Sequence, residues 1–106
     1  MSALGTEYKY GIKLPPIDGI HLSEMDFEVT TYVYSNKSVT FKKSDEKHIK
    51  MINEDSYKVI VDSESAIKIG KGKVLAKLTI HIPDLDFEDG FRTEIYDDLC
   101  TYQVIT

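Results

Sequence analysis

Hydrophobic and polar residues alternate along much of this chain, and a period of two predicts β-strands. The pattern is clearest over Asp26–Ser35, where one face carries Phe27, Val29, Thr31 and Val33. It returns over Lys73–Ile82, where alternate residues from Val74 onward point inward and Leu75 is the exception. Both segments are therefore predicted to be strands with one buried face.

Shorter alternating segments extend the same pattern. They are Tyr8–Leu14, Ser38–Lys43, Lys47–Asn53, Tyr57–Asp62, Arg92–Tyr96 and Thr101–Ile105. Turn or strand-breaking residues separate several of them, namely Pro15-Pro16, Ser35-Asn36-Lys37, Gly70-Lys71-Gly72 and Pro83. One helical turn fits, at Ser63–Lys68 with Ser63 as its cap. Six to eight short strands predict an all-β chain, a single immunoglobulin-like β-sandwich domain over residues 1–106.

Composition and charge exclude several classes of function. The chain of 106 residues is 42% hydrophobic and 29% charged, which is ordinary for a globular domain. Its formal net charge of −5 opposes the approach of a phosphate backbone, so no nucleic-acid partner is expected. The amino terminus lacks the pattern of a signal peptide, and no apolar run suits a membrane span, so we expect no membrane partner. The single cysteine, Cys100, favours a reducing compartment, and folding in a cytoplasm is predicted.

The acidic loop Asp84–Gly90 is the strongest candidate for cation binding. Its carboxylates suit a hard cation such as calcium, but the spacing does not match the ligand positions of an EF-hand. The alternative is a solvated turn in which Leu85 or Phe87 anchors in the core. The sequence does not decide whether this loop binds calcium.

No residue pattern in the sequence indicates catalysis. His21, His48 and His81 lie in separate predicted segments without the close partners common in zinc sites, so surface or strand-face positions are expected. Cys100 has no local base signature and is expected to be a small buried hydrophobic residue. We therefore predict no catalytic, metal-binding or cofactor-binding residues, and no enzymatic activity.

The tyrosines are the most suggestive feature for binding. Tyr32 and Tyr34 share the face of their strand opposite to its hydrophobic face, and Tyr8 and Tyr10 have the same spacing. Exposed aromatic residues on one face of a sheet often mark an interface, so these four are the predicted contact residues. The alternative is that this face packs against a second sheet, because a sandwich strand can bury either side.

Four segments carry a resemblance to a known family. They are Glu54–Ser63, Gly70-Lys71-Gly72, Leu78–Asp84 and Phe87–Glu94. They lie in the carboxy-terminal half of the chain, and they resemble small virion proteins of phages and prophages that infect gut Bacteroidales. They are also similar, more loosely, to the immunoglobulin-like amino-terminal domains by which phage baseplate and fibre proteins dock.

The resemblance implies a virion structural protein of the head-fibre, tail-fibre or baseplate attachment type. Such a protein is made in the host cytoplasm, assembles as a homo-oligomer and contacts other virion proteins. The terminal segments Met1–Leu14 and Thr101–Thr106 would then serve as arms that add or exchange edge strands. Two alternatives remain: a monomeric carbohydrate- or protein-binding accessory domain, and a small metal-dependent enzyme that uses the acidic loop.

Overall fold

The computed structural model describes residues 2–14, 18–34 and 37–106, and within them two antiparallel sheets form a β-sandwich. Seven strands are present: β1 (Tyr8–Lys13), β2 (Asp26–Val33), β3 (Lys37–Lys42), β4 (Ile49–Asn53), β5 (Ser56–Val61), β6 (Gly72–Pro83) and β7 (Phe91–Ile105). One helix, α1 (Ser63–Ile69), joins β5 to β6, and a short 3₁₀ turn, Leu22–Glu24, precedes β2. The prediction of an all-β sandwich with six to eight strands is confirmed.

The strand order explains how the layers form. The smaller sheet has the order β1-β5-β4, and the larger has the order β3-β2-β6-β7. Immunoglobulin constant domains place their second strand between the first and fifth strands. Here β2 pairs instead with β3 and β6 in the larger sheet. The domain therefore has the two-layer architecture of immunoglobulin domains, but its strand order differs from theirs in the position of β2.

The core lies between the two sheets and follows the predicted alternation. The inward residues of β2 and the alternate residues of β6 from Val74 to Ile82 are all buried. Across the layers, the Phe27 and Tyr57 rings meet edge to face with centroids 4.9 Å apart. Tyr10 Oη and Thr31 Oγ1 lie 2.5 Å apart and link β1 to β2 by a buried hydrogen bond. Apolar burial of this kind is the main stabilising contribution in such a domain.

The structure settles one boundary that the sequence left open and shows that the predicted helix cap was wrong. The segments Arg92–Tyr96 and Thr101–Ile105 belong to one continuous strand, β7, because two irregularities in its pairing with β6 interrupt the alternation without ending the strand. The helical turn is a seven-residue helix, and its cap is Asp62, whose Oδ1 accepts a hydrogen bond from the Ser65 amide at 3.0 Å. Leu75 is buried although it lies on the outer face of β6.

Other predictions concern the connections. Gly70 and Gly72 have positive φ values of 93° and 133°, as the predicted turn requires, although this turn joins a helix to a strand. Pro15, Pro16, Ser35 and Asn36, which were predicted to break strands or form a turn, lie outside the described residues. None of the helices that the structure describes is long and apolar enough to cross a membrane.

The terminal segments pair within the chain. Ser2 and Leu4 donate backbone hydrogen bonds to Val104 and Thr106 at 3.0 and 3.1 Å, beside the end of β7. β1 pairs along its length with β5. Any exchange of these segments between subunits would therefore have to replace hydrogen bonds that already exist.

Candidate functional site

A groove on the outer face of the larger sheet holds two of the predicted contact residues. Tyr32 comes from β2, Tyr34 follows the end of β2, and Asp97 and Asp98 come from β7. The central strand β6 lies between β2 and β7 and contributes Lys77. The groove has a volume of about 520 Å³. The "tyrosine groove" is defined here as the surface formed by Tyr32, Tyr34, Lys77, Asp97 and Asp98.

A β-bulge places the two carboxylates in the groove. Leu78 pairs with Tyr96 and Ala76 pairs with Leu99, so the two residues Asp97 and Asp98 stand opposite the single Lys77. Asp98 adopts a φ of 54°, a left-handed conformation that Asp tolerates better than most residues. Its backbone amide donates to Asp97 Oδ1 at 2.8 Å, which holds the bulge locally.

The tyrosines and carboxylates form one hydrogen-bonded cluster. Tyr32 Oη lies 2.7 Å from Asp97 Oδ1 and 2.5 Å from Asp98 Oδ1, so its single proton serves one carboxylate at a time. Tyr34 Oη donates to Asp98 Oδ1 at 2.9 Å. The two tyrosine rings meet edge to face with centroids 5.9 Å apart. These contacts hold the Tyr34 ring in place, and the ring stays accessible because Tyr34 is 72% exposed.

The electrostatics of the groove favour neutral tyrosines beside an ionised carboxylate. Burial, together with hydrogen bonds to Asp98 and Asp97, raises the pKa of Tyr32. The hydrogen bond to Asp98 raises the pKa of Tyr34. The hydrogen bond from Tyr32 lowers the pKa of Asp97, with a smaller contribution from Lys77. Both phenols therefore stay protonated at neutral pH and Asp97 stays charged.

This arrangement offers several groups that can bind a partner. It offers an exposed aromatic ring, carboxylate oxygens that accept hydrogen bonds, and nearby lysine ammonium groups from Lys37 and Lys77. Such groups bind hydroxyl, amide or ammonium groups of a partner.

Tyr8 and Tyr10, the other two predicted contact residues, do not lie at the surface. They are 9% and 7% exposed and belong to the core between the sheets. β1 turns its two tyrosines inward, whereas β2 turns its hydrophobic residues inward and Tyr32 outward. The prediction that Tyr8 and Tyr10 are exposed is therefore wrong, and the alternative of an inner face holds for them.

The acidic loop is the turn of the β6–β7 hairpin. Asp84 Oδ1 accepts from the Asp86 amide at 3.0 Å, and Asp89 Oδ1 accepts from the Phe91 amide at 3.1 Å. Arg92 pairs with Asp84 at 3.6 Å. Neither Leu85 nor Phe87 anchors in the core, because they are 97% and 47% exposed. The expectation that Leu85 or Phe87 anchors in the core was therefore wrong, and both side chains project from a hydrogen-bonded turn.

The histidines and the cysteine occupy different environments. His81 lies on the outer face of β6 near Thr93, as expected. His48 is instead mostly buried: its ring stacks on Phe41 with centroids 4.5 Å apart, and it contacts the carboxylates of Asp45 and Asp62. Cys100 is exposed, so the expectation of a buried cysteine was wrong.

His21 lies beside two carboxylates that the sequence did not connect to it. Within the described residues, His21, Glu54 and Asp55 form a group whose possible ligand atoms all lie within 4.8 Å of one another. The carboxylates are 33 and 34 positions away in the sequence, so no local spacing indicated the contact.

Sequence reasoning also missed Asp97 and Asp98. It left open whether Arg92–Tyr96 and Thr101–Ile105 form one strand or two, and it assigned Asp97 and Asp98 to neither segment, because a bulge disrupts the period of two. The available signal was the Asp-Asp pair itself, since Asp is depleted in regular strands and tolerates left-handed backbone.

Comparisons with protein-family models, curated proteins and solved structures found no significant match to this chain.

Proposed function

We propose that this domain is a non-catalytic virion assembly module that contacts neighbouring subunits through the tyrosine groove. The observation that carries the proposal is the exposed Tyr34 ring, fixed by its hydrogen bond to Asp98 and by its contact with Tyr32. An aromatic side chain that is already ordered loses little entropy on binding, and tyrosine is enriched at interfaces.

The resemblance to phage virion proteins adds support from a second region. Its segment Phe87–Glu94 lies in the β6–β7 hairpin, where Asp89, Gly90 and Arg92 shape the turn and the start of β7. That turn presents the exposed Leu85 and Phe87 to solvent. Exposed apolar side chains at a projecting turn suit attachment to other virion proteins.

A second candidate function is a carbohydrate-binding accessory domain. It is favoured by one specific observation, the exposed Tyr34 ring beside the ionised Asp97 in a groove of about 520 Å³. Aromatic faces pack on apolar sugar faces, and carboxylates accept hydrogen bonds from sugar hydroxyls. This function predicts a monomer.

Light scattering on the purified chain across a concentration series separates the two functions. The assembly function predicts a closed oligomer that Tyr34→Ala converts to monomer. Tyr102→Ala is the matched control, because Tyr102 is 90% exposed and does not line the groove. It should leave the oligomer intact.

A strict monomer at every concentration would contradict self-assembly and bring the carbohydrate function forward. Tyrosine fluorescence titrations with a panel of oligosaccharides would then test that function. Saturable binding that Tyr34→Ala removes and Tyr102→Ala preserves would support it.

A further inference from the structure

His21 and the β4–β5 turn are held together by the backbone. The Ser23 amide donates to the Glu54 carbonyl at 2.8 Å, and the Leu22 amide donates to Asp55 Oδ1 at 3.1 Å. The Leu14 amide donates to the Asp55 carbonyl at 2.9 Å. Three hydrogen bonds from the chain before β2 thus fix the turn that carries Glu54 and Asp55. The side chains near His21 are therefore positioned by the fold.

The distances between the side-chain atoms fit a shared cation. His21 Nδ1 lies 3.3 Å from Asp55 Oδ2 and 3.7 Å from Glu54 Oε1. All three ligand atoms lie within 4.8 Å of one another. A point equidistant from atoms with these separations lies about 2.0–2.4 Å from each, which overlaps zinc bond lengths to nitrogen and oxygen of about 2.0–2.2 Å.

The donor set and its surroundings also suit a divalent transition metal. One imidazole nitrogen with two carboxylates matches zinc and related ions better than calcium, which prefers oxygen ligands alone. Asp55 Oδ1 is oriented by the Leu22 amide, and ligating carboxylates in metal sites are commonly hydrogen-bonded in this way. The side chains of His21, Glu54 and Asp55 are 38%, 64% and 28% exposed, so an ion can reach them.

We propose that His21, Glu54 and Asp55 bind one divalent transition-metal ion, with zinc as the representative. The three side chains leave a fourth position for water or for a donor from a binding partner. A bound ion would cross-link the segment before β2 to the β4–β5 turn and stabilise the folded state by mass action. The site is separate from the tyrosine groove and does not depend on the proposed assembly function.

The alternative role of the same residues is an ion pair between His21 and the two carboxylates, with no metal. The two roles differ in one observable. An ion pair gives no stabilisation on addition of zinc, whereas a metal site raises the thermal midpoint in proportion to the logarithm of zinc concentration above its dissociation constant.

Zinc chloride is titrated into the full chain by isothermal calorimetry, and the thermal midpoint is followed by circular dichroism with zinc or with a chelator. The expected result is one zinc per chain and a higher midpoint with zinc. His21→Ala should abolish both. Glu54→Gln should weaken binding while it keeps the fold, because among the described residues the Glu54 side chain has a polar contact with His21 alone.

Two controls test whether His81 or Cys100 contributes to zinc binding. His81→Ala removes an outward-facing histidine whose Nδ1 lies 3.3 Å from Thr93 Oγ1, and Cys100→Ser removes the exposed thiol. Both variants should retain one zinc per chain and the same increase in midpoint. Cobalt in place of zinc gives an independent readout, since its visible absorption reports coordination and should disappear in His21→Ala. The proposal is overturned if wild-type protein takes up no zinc, or if His21→Ala binds it as tightly as wild type.

Discussion

Tyr8 and Tyr10 provide a matched pair for measuring what a buried hydroxyl contributes to this fold. Both lie on the inward face of β1 and both are buried. Tyr10 Oη shares a hydrogen bond with Thr31 Oγ1 at 2.5 Å, across the two sheets. Tyr8 Oη is buried without a hydrogen-bond partner among the described residues. The substitutions Tyr10→Phe and Tyr8→Phe remove the same atom from opposite situations.

The expected free energies differ in sign. Tyr10→Phe leaves Thr31 Oγ1 buried without that partner, so it should reduce the free energy of unfolding by about 1–3 kcal/mol. This corresponds to a fall in thermal midpoint of about 4–8 °C per kcal/mol for a domain of this size. Tyr8→Phe removes a hydroxyl that lost its water and gained nothing, so it should be neutral or stabilise by up to about 1 kcal/mol.

Urea unfolding followed by tyrosine fluorescence and circular dichroism measures both values. The double variant Tyr10→Phe with Thr31→Val removes both partners and should cost less than the sum of the single changes. The reasoning is refuted if Tyr8→Phe destabilises the domain as much as Tyr10→Phe, or if the double variant is strictly additive.

Three further predictions rest on other contacts. Asp62→Ala should lower the urea midpoint of unfolding, because it removes the cap of α1. Since hydrogen bonds from Ser65 lower the pKa of Asp62, the wild-type contribution is present above about pH 4 and should be lost on acidification. Burial raises the pKa of Tyr8 to about 12, so the unfolded state loses this proton before the folded state does. The free energy of unfolding should therefore fall as the pH rises from about 10 to 12, and it should fall less in Tyr8→Phe than in wild type. Tyr102→Gly should raise the thermal midpoint, because Tyr102 has a φ of 62° and a solvated side chain. Glycine removes the backbone strain of about 1–2 kcal/mol that a left-handed conformation causes, and this gain exceeds the entropy cost of glycine. The first prediction is contradicted if Asp62→Ala loses as much stability on acidification as wild type does. The second is contradicted if Tyr8→Phe loses as much stability between pH 10 and 12 as wild type does. A lower thermal midpoint in Tyr102→Gly contradicts the third.

The inward faces could be predicted from sequence because they depend on local alternation alone. Phe27, Val29 and Val33 in β2 are buried as the period of two requires. The same period cannot say which of two faces turns inward when both carry large residues. Tyr10 and Tyr32 show identical local spacing, yet Tyr10 packs in the core and Tyr32 lines the groove. That difference depends on where the second sheet lies, which is a property of the whole chain.

The site residues that escaped prediction depend on pairing between distant segments. His21 meets Asp55 only because the chain before β2 is hydrogen-bonded to the β4–β5 turn. Asp98 reaches Tyr34 only because β2 and β7 flank β6 in the same sheet. Loop closure over tens of residues has no local sequence signature, so these contacts become visible only in the fold.

The irregularities of β7 affect both the exposed edge of the larger sheet and the tyrosine groove. β7 is an edge strand of fifteen residues, and a regular edge of that length would offer its free backbone groups to any other strand. Bulges with positive φ at Asp98 and Tyr102 interrupt this edge, which opposes pairing between chains. The bulge at Asp98 also supplies the carboxylate that holds Tyr34 in place. A regular strand would place one residue opposite Lys77 instead of two, so the groove could not keep both carboxylates. The feature that interrupts the edge is thus the same feature that builds the groove.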